Sequence, residues 1–325
     1  MIKHENGQAT TNAVASPFGE PLDIHALLTA PPPPLHHVLP GLLAGTVGML
    51  AGPGGVGKTM LELQIAVGLA TGTPVCGGLF ECAGAAPVVM VAAEEDVNVL
   101  THRLHAIVHA LYAQRARFGL QIESKPFLAR LQNNLRLFAG TTAGLLLLDR
   151  DGRRTATLKA LGNAAERAQL IIIDPLRQFH GGDENDSASM DRVVLALRQV
   201  ARQSGAALVF AHHTNKAATF SGQGDVAGAA RGSSALTDGV RWQLNLSKPT
   251  KEQAQRRGIA EDARGRYLLL DIPKANYSPP RGTVTLERLP GGVLAACSPQ
   301  GHGRVAHQRA DKSEVQQLQL TGDEQ

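Results

Sequence analysis

Two alternating patterns of apolar and polar positions run along the chain. TVGMLAGP (46–53) is an unbroken apolar run that predicts a buried strand, and Lys58–Thr71 behind it predicts a helix. APVVMVAAEE (86–95) then predicts a second strand, and NVLTHRLHAIVHALYAQRA (98–116) a helix with apolar positions three and four apart. The sequence continues with the helix-like TLKALGNAAERA (157–168), the strand QLIIIDPL (169–176), the helix SMDRVVLALRQVARQSG (189–205) and the strand ALVFAHHT (207–214). Strands made of continuous apolar residues and separated by helices imply a mostly parallel, twisted sheet covered on both faces. After residue 240 the rhythm changes. VRWQLNLSK, RYLLLDIPKANY and GTVTLERL read as consecutive strands with no helix between them, so an antiparallel extension is expected at the C-terminal side of an α/β core.

The ends lack this periodicity. Residues 1–21 are polar and read as a flexible leader, 22–298 as one domain, and 299–325 as a solvated, disordered tail. The PPPP run at 31–34 reads as a stiff spacer. Neither the start of the chain nor the interrupted apolar stretch from Val38 to Ala51 has the length of a signal core or a membrane span, so a cytoplasmic protein without a membrane partner is expected. Cys76, Cys82 and Cys297 have neither metal-ligand spacing nor an even disulfide framework, which suits a reducing compartment.

Composition narrows the partners. Aromatics make up only 4% of the chain, too few for the stacking surfaces of sequence-reading RNA modules, and the net charge of +4 is a slight imbalance. Any nucleic-acid contact is therefore mostly electrostatic.

The first strand and helix are joined by GPGGVGKT (52–59), which fits G-x-x-x-x-G-K-[ST] at every position. Glycines let a loop turn its N–H groups around a phosphate, and the following helix points its positive end at the same anion. The expected nucleotide contacts are Gly52, Pro53, Gly54, Gly55, Val56, Gly57, Lys58, Thr59 and Met60, with Lys58 on the β/γ-phosphates and Thr59 on Mg²⁺. QLIIIDPL ends in Asp174, the place for a second Mg²⁺-ordering group beside that loop. Glu94, Glu95 and Asp96 close the strand after the phosphate-binding helix, and one of them is expected to activate water, with Glu94 favoured. His212 and His213 end another strand; without cysteine or carboxylate ligands at suitable spacing they do not read as a metal site, but a histidine beside a nucleotide can sense its γ-phosphate.

Several blocks in order, APPPPLHHVLPGLLAGTVG, AGPGGVGKTM, VAAEEDVNVLTHRLHA, IIIDPLRQFH, LVFAHHTNK, ARGSSALTDGVRWQ, PKANY and GGVL, give the stretch from Leu22 to Val293 a family likeness. It resembles the RepA hexameric replicative helicases of IncQ-type plasmids, a branch of the RecA/DnaB-like ATPases. The resemblance implies a homo-hexameric ring that binds ATP and Mg²⁺ at subunit interfaces and acts on single-stranded DNA, with plasmid initiator and primase proteins as further partners. It also implies Lys58 and Thr59 on phosphate and metal, Glu94 activating water, Asp174 ordering Mg²⁺, His213 sensing nucleotide state, and Arg241 reaching into the neighbouring subunit's site. The stretch 112–150 and the acidic triplet 94–96 depart from the family pattern.

Two segments have the make-up of DNA-facing loops: the acidic GGDENDSAS (181–189) and the glycine-rich KAATFSGQGDVAGAAR (216–231), which Lys216 and Arg231 flank. A RecA-like regulatory or recombination-mediator ATPase is the alternative reading. A GTPase is disfavoured because Asn215-Lys216-Ala217-Ala218 lacks the aspartate of a guanine motif, and a small-molecule kinase because no arginine-rich lid stands out.

Overall fold

A computed structural model describes residues 19–116, 119–140, 144–214, 234–279 and 281–297. The chain divides into two units, Met1–His36 and His37–Gln325. The described part of the first contains a single short helix, α1 (Ile24–Thr29), N-capped by the Asp23 carboxylate and burying none of its residues.

The second unit begins with a two-stranded ribbon, β1 (His37–Leu39) and β2 (Leu42–Leu43). Its main body is a nine-stranded sheet. In chain order the strands are β3 (Val47–Gly52), β4 (Val88–Ala92), β5 (Leu135–Phe138), β6 (Leu170–Asp174), β7 (Ala207–His213), β8 (Trp242–Ser247), β9 (Tyr267–Ala275), β10 (Val284–Arg288) and β11 (Leu294–Ala296). In space they lie in the order β11-β10-β9-β8-β3-β7-β6-β4-β5. All neighbours from β8 to β5 pair parallel, and the pairs β8–β9, β9–β10 and β10–β11 are antiparallel. The expected α/β class with an antiparallel C-terminal extension is the fold observed.

Strands buried on both faces explain the continuous apolar runs. Leu170 and Ile172 of β6 enter one core cluster while Ile171 and Ile173 enter the other, because successive side chains point to opposite faces. On the first face lie α2 (Lys58–Thr71), α3 (Val97–Gln114) and α4 (Ser124–Asn134). The second face is covered by α5 (Ala156–Ala165), α6 (Ser187–Ser204) and α7 (Ser234–Gly239). Every residue of α2 except Thr59 is buried, so this helix is apolar nearly all round, whereas α6 buries one stripe that includes Met190, Val193, Val194, Leu197, Val200 and Ala201.

Two features differ from the sequence reading. A short helix, α8 (Lys251–Arg256), separates β8 from β9; its KEQAQR sequence has no apolar period, and a Thr250–Gln253 capping box starts it. The stretch 112–150, where the family pattern fails, holds α4 and the edge strand β5. Among the described residues no helix is long and apolar enough to cross a membrane.

Candidate functional site

The parallel strands bring four strand ends together. In register, Gly52 of β3 lies opposite His213 of β7, and Ala92 of β4 lies opposite Asp174 of β6. The Ala93 N–H donates to the Asp174 carbonyl at 2.7 Å, and the Thr214 N–H to the Gly52 carbonyl at 3.2 Å. A cleft at the C-terminal edge of such a sheet is where α/β proteins bind ligands.

The loop between β3 and α2 has the backbone of an anion cradle. Gly57 caps α2 in the left-handed region at φ 108°, a conformation that needs glycine, and no side chain caps the helix. The first N–H groups of α2 therefore remain available for an anion. At Gly52 a Cβ would stand 2.6 Å from the Leu246 carbonyl oxygen, so the close packing of β3 against β8 excludes any other residue there.

Lys58 is buried, and its ammonium donates to the carbonyls of Gly52 at 2.8 Å and Pro53 at 3.2 Å. It also lies 3.3 Å from His213 Nδ1. An ammonium has only donors, so Nδ1 is the acceptor and any ring proton sits on Nε2. Burial lowers the pKa of Lys58 against the pull of Asp174, Glu62 and Glu94; burial first and Lys58 second lower that of His213. The imidazole is thus held neutral beside Lys58.

Asp174 is buried at the end of β6 and hydrogen-bonds the side chain of Thr59. Burial raises its pKa, while Thr59 and Lys58 oppose the rise by favouring the anion. The donor set fits a nucleotide with a divalent cation: a cradle of N–H groups, an ammonium and a hydroxyl at one strand-to-helix turn, with a carboxylate from the end of β6 beside them.

The acidic triplet separates by contact. Asp96 N-caps α3, accepting from the Asn98 N–H at 2.7 Å, and Glu95 pairs with Arg103 at 2.6 Å. Glu94 is exposed, close enough to Lys58, Asp174 and His213 to perturb all three, and accepts at Oε1 from Gln178 Nε2 at 2.8 Å. Of the three acids, Glu94 is the one left to face the site.

Arg241 does not join this group. Its N–H donates to the Val47 carbonyl at 3.0 Å, at the N-terminal end of β3, and its carbonyl accepts from Asn276 N–H at 3.2 Å. The length of β3, roughly 17 Å at about 3.3 Å per residue, separates that end from Gly52. The Arg241 side chain is exposed, and Glu287 on β10 pairs with Arg266 at 2.9 Å.

Three residues at the site escaped the sequence reading. Glu62, one turn beyond Lys58 and 1% exposed, lies against the Asp174 carboxyl, and neither of its oxygens meets a donor. A lone charge inside the apolar helix LELQIAVGLA was its signal. Gln178 leaves no sequence signal. Arg288 at the end of β10 hydrogen-bonds the Val56 carbonyl of the phosphate loop, a contact that depends on the C-terminal strands folding back beside β8.

Of the two predicted DNA-facing loops, 216–231 with Lys216 and Arg231 lies outside the described residues. In the other, Asp186 caps α6, Glu184 lies 3.9 Å from His180 and 4.0 Å from Arg177, and Asp183 accepts from the Asn185 N–H at 2.9 Å, so local structure occupies all three acids.

Strand order, phosphate loop and strand-end carboxylate together define a P-loop ATPase with a RecA/DnaB-like fold. The family described as AAA domain matches residues 15–219, and the chain belongs to that family. Among solved structures it is similar to a DnaB-like replicative helicase, described together with its interactions with primase, at 14% identity and a TM-score of 0.54, over 78% of this chain and 57% of that one. The chain thus spans little more than half the length of that helicase. The RadB recombinase is matched at 15% identity over 78% of this chain and 91% of its own, with a TM-score of 0.45.

Proposed function

We propose that this chain is a ring-forming ATPase that moves along single-stranded DNA and separates duplex strands, in the manner of the plasmid replicative helicases its motif blocks resemble. The observation that carries the reading is the division of the machinery between two ends of one sheet. Lys58, Thr59, Glu94, Asp174 and His213 surround the loop at one end, while Arg241 stands exposed at the other. An arginine placed there serves a neighbour's nucleotide and not its own, which makes a homo-hexamer the natural assembly.

In this reading the N-terminus of α2 and Lys58 hold the β- and γ-phosphates of ATP, with Gly52–Met60 forming the loop around them. Thr59 and Asp174 hold Mg²⁺, which when bound neutralises charge on the phosphate oxygens. Glu94 takes the proton of the attacking water. His213 shares Lys58 with the phosphates, so its hydrogen bond reports whether the lysine is engaged, and β7 carries that state towards the 216–231 loop. Lys216 and Arg231 at the margins of that loop suit contact with a phosphate backbone. Primase and a plasmid initiator are the partner proteins, and the cytoplasm is the compartment.

The test is ATP hydrolysis with and without single-stranded DNA, strand displacement on a forked duplex, and the mass of the assembled particle. Stimulated hydrolysis with displacement by a six-subunit particle is expected. Stimulation without displacement would instead make the protein a regulatory or recombination-mediator ATPase, and hydrolysis indifferent to DNA would overturn the motor reading.

A further inference from the structure

We infer that Gln178 is a positioning residue for Glu94, a neutral donor that fixes the carboxylate without setting a full charge beside it; the inference rests on the proposed role of Glu94 as base. Gln178 sits in the 3-10 turn Leu176–Phe179 immediately after Asp174 and Pro175. Leu176 and Phe179 anchor the turn in the core at 0% and 2% exposure, so Gln178 projects from a fixed backbone. The strand end carrying Glu94 is fixed as well. Ala93 N–H bonds to the Asp174 carbonyl at 2.7 Å, and the Glu95 carbonyl accepts from Gly140 N–H at 2.8 Å.

Two rigid backbones thus meet through one side-chain contact, Gln178 Nε2 to Glu94 Oε1 at 2.8 Å. It occupies one carboxylate oxygen and leaves Oε2 for the proton of water. The neighbouring cation does not compete, because Arg177 bonds the His180 carbonyl at 3.1 Å and lies 4.0 Å from Glu184. The chemistry explains why an amide suits this place. A guanidinium would stabilise the charged form of Glu94 and weaken it as a base, whereas an amide orients it without a full charge. An unheld exposed glutamate samples several rotamers, and a displacement of about 1 Å at a reacting group costs on the order of 10²-fold in rate.

The experiment uses the full-length assembled protein with ATP, Mg²⁺ and single-stranded DNA. Gln178→Ala is expected to lower kcat about ten- to hundredfold with KM and the Kd of a non-hydrolysable ATP analogue unchanged. Gln178→Arg, which holds the same oxygen but makes it a weaker base, is expected to recover part of the kcat lost in Gln178→Ala and to move the acidic limb of the pH–kcat profile to lower pH. A merely structural residue would do neither. Intrinsic fluorescence of the buried Trp242 reports that each variant is folded. Unchanged kcat in Gln178→Ala, a matching rise in KM, or an unmoved acidic limb in Gln178→Arg overturns the inference.

Glu94→Gln separates the two claims. If that variant keeps its turnover, the role of Glu94 itself is wrong. If it is inactive while Gln178→Ala matches wild type, only the positioning role fails.

Discussion

Replacing Glu62 by glutamine is expected to make the protein progressively more stable than wild type as pH rises. Glu62 is buried against Asp174, and two carboxyl groups in contact form a hydrogen bond only when one of them holds a proton. Lys58 favours the anion of both acids, but only Asp174 also hydrogen-bonds Thr59 and Glu62 is the more deeply buried, so the proton belongs to Glu62. Burial first and Asp174 second raise the Glu62 pKa well above the ordinary 4.5. A raised folded-state pKa gives a stability contribution that is fully present below about 4.5 and is lost as pH climbs towards the folded value, since the unfolded chain releases the proton that the folded one keeps. Within that window the loss is about 1.4 kcal/mol per pH unit. Glutamine keeps an N–H donor for Asp174 and removes the titration. Urea unfolding of both proteins, followed by the fluorescence of Trp242, the single tryptophan of the chain, measures the difference at half-unit steps from pH 4.5 to 8. The stability of Glu62→Gln relative to wild type should grow with pH. A flat or falling difference would mean that Glu62 is ionised in the folded protein, held by Lys58 or another cation, and would refute the shared-proton reading.

Three further outcomes are expected. Lys58→Ala should abolish ATP hydrolysis while the Trp242 emission stays native, because the lysine charges the phosphate site and its bonds are to loop carbonyls and His213. Glu94→Gln should bind a fluorescent ATP analogue without turnover, whereas Glu95→Gln should keep turnover and lose only its partly exposed pair with Arg103, worth about 0–1 kcal/mol. Arg241→Ala should lower kcat by about 10³ to 10⁵, and mixing it with Lys58→Ala under subunit exchange should recover hydrolysis that neither parent has. No recovery despite demonstrated exchange would remove Arg241 from the neighbour's site.

Legibility of the fold followed how much of each element's character is local. Strands β3, β4, β6 and β7 were readable because a strand buried on both faces must be apolar at successive positions, as Leu170 to Ile173 are. The helix Lys58–Thr71 was readable from its glycine-rich start and unbroken apolar content. α8 was not, since five polar residues and one alanine held by a capping box carry no period, and β5 was not, since as an edge strand it buries no residue fully. The order of strands in space was also beyond the sequence, because β8 and the late strands join β3 by pairings that no local residue specifies.

The candidate site divides along the same line. Lys58 and Thr59 belong to a motif whose spacing is dictated by one turn of backbone around a phosphate, and Asp174 closes an apolar strand run, so each is named from its own segment. Glu94 could be separated from Glu95 and Asp96 only by asking what else each acid touches, and the answers come from elsewhere: Arg103 on α3, the Asn98 N–H, and Gln178 beyond β6. A carboxylate already paired or capping a helix has its charge committed, and it takes a rearrangement to make it a base. The one held by a neutral amide beside Lys58 and His213 needs none. Glu62 is the converse case, conspicuous in sequence as a charge within an apolar helix but without meaning until β6 brings Asp174 against it. That contact places a second carboxyl against the aspartate proposed to hold Mg²⁺, where its protonation governs how much negative charge the site presents.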